Sequence, residues 1–91
     1  MTVSYSLRRK AYSLGADDIV VSWRQNKKYA VFYNGRWIHF GDDRYDDYTT
    51  HRDRDRRDSY RKRSSSITNR YGKRTYKDRN YANFWAYHLL W

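Results

Sequence analysis

The dipeptide Asn34-Gly35 constrains this chain more than any other feature, because it stands between two short runs of β-forming residues, KYAVFY over 28–33 and RWIHF over 36–40. Asn-Gly is the preferred pair for a two-residue type I′ hairpin, since both central residues of that turn need positive φ. Closing the hairpin there pairs Tyr33 with Arg36, Phe32 with Trp37, Val31 with Ile38, Ala30 with His39 and Tyr29 with Phe40. Strand alternation then puts Tyr29, Val31, Ile38 and Phe40 on one face, with Phe32 and Trp37 together on the other.

The β-branched stretch 19–23 ends in the polar turn Arg24-Gln25-Asn26-Lys27 and reads as a third strand. The expectation is therefore a small α+β fold, an antiparallel β-meander over 19–23, 28–33 and 36–40. Gly41-Asp42-Asp43 breaks the sheet. A basic helix follows over about 52–63, with Asp53 placed to cap it and Asp53/Arg57 and Arg54/Asp58 at i,i+4 spacing. Tyr60 is the one aromatic of that helix and reads as its anchor to the sheet, and Ser64-Ser65-Ser66 as its end. From 81 to 90 apolar residues recur every three to four positions (Tyr81, Phe84, Trp85, His88, Leu89), which predicts a short amphipathic C-terminal helix packing on the core or on a partner. Residues 1–18 show no sustained period and read as a flexible or partner-ordered arm, with a turn signal at Gly15. Residues 64–80 read as an extended basic loop, leaving 19–63 as a hairpin/helix core.

A chain of 91 residues is one small domain that buries only about 60–65% of its unfolded surface. Aliphatic residues are scarce, whereas Tyr, Trp and Phe number 11, 4 and 3. Each buried ring removes roughly 150–250 Å² from water, so a few rings substitute for many leucines. The absence of Cys excludes disulfides, thiolate metal sites and a cysteine nucleophile. No apolar run reaches the roughly 20 residues of a membrane span, and no apolar signal-peptide core opens the sequence, so an intracellular or particle-enclosed protein is expected.

The formal charge is +10, and its distribution is uneven. Residues 1–41 carry seven Lys/Arg against two Asp, residues 42–58 five Arg against seven Asp, and residues 59–91 eight Lys/Arg against Asp78 alone. Such an excess favours polyanions: nucleic acid, anionic lipid or an acidic protein surface.

Signals for catalysis are absent. There is no GxSxG elbow, and the glycines at 15, 35, 41 and 72 are scattered rather than gathered into a phosphate-cradling loop. His39, His51 and His88 lie on separate elements without zinc-ligand spacing. Asp42, Asp43, Asp46 and Asp47 could in principle hold Mg²⁺ or Ca²⁺, but the stretch lacks the central Gly and distal Glu of a calcium loop. It reads as a solvated acidic loop. No enzyme, cofactor, metal or small-molecule substrate is expected.

The positive signal is the interleaving of rings and cations in Tyr60-Arg61-Lys62-Arg63, Arg70-Tyr71-Gly72-Lys73-Arg74 and Tyr76-Lys77-Asp78-Arg79. Cations neutralise phosphates with counterion release, and exposed rings stack on unpaired bases. The same residues would also serve a basic strap across acidic protein surfaces. The candidate residues for touching a polyanion or partner are Arg61, Lys62, Arg63, Arg70, Lys73, Arg74, Lys77 and Arg79. Phe84, Trp85, Leu89, Leu90 and Trp91 are candidate hydrophobic anchors.

The stretch 28–63, together with the ending from Phe84-Trp85 to Leu89-Leu90-Trp91, resembles a family of short uncharacterised proteins of nucleocytoplasmic large DNA viruses. The residues that carry the resemblance are Tyr29, Val31, Asn34, Gly35, Ile38, Phe40 and Gly41 in the hairpin. In the second half they are Tyr45, Asp47, Tyr48, Thr49, His51, Asp53, Arg56, Arg57, Tyr60 and Arg63. The resemblance covers about half the chain and departs at 1–18, at Ser64–Ser66 and across 67–83. It implies a virion setting, with host-cytoplasmic viral factories during assembly, and carries no catalytic residue. The Tyr/Asp/Thr/His cluster over 45–53 reads as a polar knot locking hairpin to helix.

Two functions follow as expectations. The first is a minor structural protein of a large DNA virus, a basic clamp between larger virion or capsid subunits. The alternative is a non-enzymatic nucleic-acid-binding protein that packages the viral DNA. A metal-assisted nuclease built on Asp42, Asp43, Asp46, Asp47 and a His ranks third.

Overall fold

A computed structural model describes residues 2–91, the side chain of Thr50 excepted. It is an α+β fold with a three-stranded antiparallel sheet, and the chain divides into two compact units, residues up to Arg44 and residues Tyr45–Trp91. The expected core over 19–63 is thus divided between two units.

In the first unit, strands β1 (Asp18–Val21), β2 (Lys27–Tyr33) and β3 (Arg36–Asp42) form a meander in the order β1-β2-β3. The hairpin register is the one the Asn-Gly turn predicts, with Tyr33 opposite Arg36 and Tyr29 opposite Phe40. Asn34 and Gly35 take φ of 52° and 77°, as the turn requires. Ile19, Val31, Ile38 and Phe40 are buried. The third strand stops at Val21, two residues short of expectation, because the Ser22 hydroxyl accepts the N–H of Arg24 and meets His39 Nδ1 at 2.8 Å. This turns the chain before Trp23 can join the ladder.

Residues 1–18, read from sequence as a flexible or partner-ordered arm, contain a helix. Helix α1 (Tyr5–Ser13) occupies them, with the Ser4 hydroxyl accepting the Leu7 N–H and Leu14-Gly15 closing its end. The Arg8 guanidinium donates to the carbonyl of Ile19 at 3.3 Å and lies 3.6 Å from the Asp18 carboxylate, which ties α1 to β1. Ala11 is the buried residue of α1.

In the second unit, α2 (Tyr48–His51) and α3 (Arg54–Ser66) replace the single helix expected over 52–63. Arg52 takes the left-handed conformation at φ 58°, and Asp53 then caps α3 as predicted, accepting from Asp55 and Arg56. The Arg57 guanidinium lies over the Tyr48 ring at 4.7 Å, and among the described residues no ion pair joins it to Asp53. The unit's core comes from α4 (Ala82–Leu90), whose Phe84, Trp85, Ala86, Leu89 and Leu90 are all buried. Tyr60 stacks on Trp91 at 4.3 Å and 11°, so its partner is the C-terminal residue. Burial raises the Tyr60 phenol above its ordinary 10.0.

Asn83 joins three segments of this unit. Its amide oxygen accepts from Ser64 Oγ at 2.6 Å, and its Nδ2 donates to the Ser64 carbonyl at 3.0 Å and to Thr75 Oγ1 at 2.9 Å. No helix among the described residues is long and apolar enough to cross a membrane.

Candidate polyanion-binding loop

The segment expected as an extended basic loop over 64–80 has its own local order. Ser65 and Ser66 hydroxyls bond back to the carbonyls of Lys62 and Arg63, and Ile67 ends α3 in an extended conformation. Thr68 and Arg74 then form an antiparallel bridge, and the Thr75 N–H returns to the Ile67 carbonyl at 3.1 Å. Residues 75–77 make one 3₁₀ turn.

Between the bridged residues, Asn69 organises the tip. Its side-chain oxygen accepts the N–H groups of Tyr71 and Lys73 at 2.9 and 3.1 Å. Its backbone exchanges bonds with Gly72 and Lys73 at 3.0 and 2.9 Å. An Asn side chain that bonds the backbone two residues on is the usual device for closing such a turn. Gly72 takes φ +77° at the tip, where open space would admit a side chain but the backbone conformation disfavours one. Asn69 Nδ2 also reaches the Tyr81 hydroxyl at 3.3 Å.

The outcome is a tip that holds a ring outward. Tyr71 is 71% exposed, and the Arg70 guanidinium lies 4.9 Å from its centroid. Lys62, Arg63, Arg70, Lys73, Arg74, Lys77 and Arg79 are all exposed. Among the described residues, none of Lys62, Arg63, Arg70, Lys73 and Lys77 has a carboxylate within ion-pair distance. Asp78 instead accepts from the backbone and side-chain nitrogens of Asn80. Arg74 donates to the Ser65 carbonyl at 2.6 Å while remaining exposed, Lys77 lies over Tyr76, and Arg79 over Phe84.

Arg61 differs from the other candidates. It is half-buried, donates to the main-chain oxygen of Trp91 at 2.8 Å and lies over the Tyr87 ring at 5.3 Å. That places it in the packing of α3 against the end of the chain rather than at a phosphate. The five candidate anchors are likewise inside the unit: Phe84, Trp85, Leu89 and Leu90 are buried, and Trp91 is half-buried between Tyr60 and His51. Trp85 Nε1 donates to the Arg79 carbonyl at 2.8 Å, which leaves no polar handle for a partner.

Asp43 and Asp46 are exposed, and the other acidic and histidine candidates bond within their own units. Asp42 grips Arg44 with both oxygens at 2.9 and 2.7 Å, and these hydrogen bonds push its carboxyl down to about 2. Asp47 is buried and accepts from the N–H and hydroxyl of Thr49 at the start of α2. His51 Nδ1 accepts the Asp53 N–H at 2.9 Å, so the cluster over 47–53 knots α2 to α3. His88 Nε2 donates to the Tyr76 carbonyl at 3.2 Å. Burial first, then the charges of Arg24 and Lys27, hold His39 below its ordinary 6.5. Among the described residues no three His, Asp or Glu side chains come together as a metal site.

Sequence reasoning passed over Asn69, the residue that shapes the tip, and Trp23, an exposed indole at the end of β1. Asn69 stands three residues before Gly72, a turn signature that the surrounding charge run obscured. For Trp23 the signal was a large ring directly beside a polar turn.

No curated protein and no solved structure matches the chain. A family model does match, over residues 18–64, which is just over half of the sequence and takes in the whole sheet, α2 and most of α3. This chain belongs to the family of unknown function DUF5754.

Proposed function

We propose that the protein is a non-enzymatic nucleic-acid-binding protein whose second unit holds phosphates with the basic loop of residues 62–79. The observation that carries this reading is the tip itself. Asn69 fixes the backbone so that Tyr71 stands out in solvent, close in sequence to the exposed cations Arg70, Lys73 and Lys77. Exposing a large ring forgoes burial free energy of roughly 1.5–3 kcal/mol, a cost that binding to a base or sugar recovers. The cations supply sequence-independent affinity through counterion release.

The test is a salt titration of binding to a single-stranded oligonucleotide. Arg70, Lys73 and Lys77 are exposed and, among the described residues, donate no side-chain hydrogen bond, so replacing all three by Gln removes charge with little structural cost. The slope of log affinity against log salt falls by about two for the triple variant, at about 0.7 for each phosphate that is no longer neutralised. An unchanged slope, or wild-type binding indifferent to salt, refutes the reading.

A second reading is the virion clamp between larger subunits of a large DNA virus. Ile67, half exposed beside the bridge, would suit a protein partner. The clamp, however, needs arms that gain order only on assembly, and α1 and the bridge-closed loop fill those segments with structure of their own. The nucleic-acid reading therefore stands first. Viral particles that retain the protein in the shell fraction after the genome is removed would reverse that order.

A further inference from the structure

The first unit carries an aromatic surface that the basic loop does not explain. On the sheet face that holds Ala30 and His39, four rings run side by side. Phe32 meets Trp37 at 5.1 Å, Trp37 meets Trp23 at 5.4 Å, and Trp23 meets His39 at 4.6 Å, each pair near perpendicular. Phe32 and Trp37 are half-buried and His39 is buried. Trp23 is 63% exposed, so it contributes little to a core and leaves most of its surface to solvent. Its position is nevertheless fixed, because Ser22 just before it bonds His39 and accepts the Arg24 N–H just after it.

The charges around the ring are asymmetric. Arg24 and Lys27 are exposed, and both act electrostatically on His39, the residue against which Trp23 packs. Asp42, opposite Lys27 in the ladder, is gripped by Arg44 and also feels the Lys27 charge, and Asp18, opposite Phe32, lies against Arg8. An exposed indole beside exposed cations suits a ligand with a flat π-face attached to an anionic backbone. A duplex buries its base faces, and a proline-rich segment has no use for the cations.

We infer that Trp23, braced by Trp37 and His39 and flanked by Arg24 and Lys27, is a stacking platform for an unpaired base of single-stranded nucleic acid. This rests on the nucleic-acid reading above and assigns it a strand type. The cations of the second unit's loop hold phosphates of any strand, while the platform adds a contact that needs an unpaired base.

The test compares oligothymidylate with an abasic deoxyribose-phosphate strand of equal length, by anisotropy and tryptophan emission at one salt concentration. Trp23→Ala weakens oligothymidylate binding by roughly tenfold or more and abasic binding by less than about twofold, and Trp23→Phe keeps most of the wild-type affinity. Trp23→Ala binding oligothymidylate like wild type overturns the inference. So does wild-type emission that responds to a proline-rich peptide and not to oligothymidylate, which would give the face to a protein partner. Were the alanine variant to lose its fold, the wild-type emission decides: quenching by oligothymidylate and not by the abasic strand supports the platform, and unmoved emission overturns it. The triple Gln variant of the loop weakens both strands alike, so the failure of that reading and the failure of this one are told apart.

Discussion

Asn83 is where a single substitution should damage the second unit most. Replacing it with Ala removes the bond it accepts from Ser64 Oγ and the two it donates, to the Ser64 carbonyl and to Thr75 Oγ1. At about 1 kcal/mol each, these account for about 3 kcal/mol. Ser64 is only 2% exposed and Thr75 only 6%, so water does not readily replace the missing partner. The groups left behind keep alternatives, however: the Ser64 carbonyl also accepts the Ile67 N–H, Thr75 Oγ1 reaches the Ile67 carbonyl at 3.4 Å, and the Ser64 hydroxyl also bonds the Tyr60 side chain. The orphan penalty is therefore partial, and the expected loss is about 2–4 kcal/mol. In a chain of this size that is a large share of a total of about 5–14 kcal/mol. Thermal unfolding followed by near-ultraviolet circular dichroism should show a midpoint lowered by about 10–20 °C. Ser64→Ala alone costs less, and the double variant should show a coupling of about 1 kcal/mol or more, because both substitutions remove the same Ser64–Asn83 bond. An Asn83→Ala variant within about 0.5 kcal/mol of wild type, or strict additivity in the cycle, refutes the assignment of this network.

Two further predictions concern protonation in the first unit. Folding favours the neutral form of His39, so just below pH 6.5 the unfolded chain binds more protons than the folded one and stability falls as pH drops towards the lower folded value. Denaturant midpoints at about pH 8 and about pH 5 should differ more for wild type than for His39→Gln, and equal differences refute it. Asp42 owes its carboxyl pKa of about 2 to the hydrogen bonds from Arg44. The stabilisation is present above about pH 4 and is lost as pH falls towards about 2. Arg44→Gln should return the carboxyl towards 3.8 in a carbon-13 titration, and a value still near 2 would place the cause elsewhere.

The elements legible in the sequence are those whose information is local and periodic. The hairpin is written in Asn34-Gly35 and in the alternation on either side, and α4 in its spacing of rings and leucines. Helix α1 was illegible because Ala11 is its buried residue; a cap from Ser4 and the reach of Arg8 to β1 hold it, and neither produces an apolar period. The break at Arg52 has no signature either, since a left-handed residue that is neither Gly nor Asn is set by its surroundings. In the loop, the aperiodic charge run concealed order supplied by one side chain, Asn69, bonding to main chain. Arg61 shows the matching limit for the candidate site. Its cation looks like its neighbours' in sequence, and only packing against Trp91 and Tyr87 separates it from them.

The span shared with the family closes at residue 64, inside the last turn of α3. Within the span Arg57 keeps Tyr48, but other partners of that helix lie beyond it: Asn83 for Ser64, and Trp91 for Tyr60 and Arg61. A fragment trimmed to the family's borders would thus keep the meander but strip α3 of its cover, leaving a charged peptide with too little apolar surface to stay helical alone. Any relative that ends near this border must find a substitute lid for that helix, from its own chain or from another molecule.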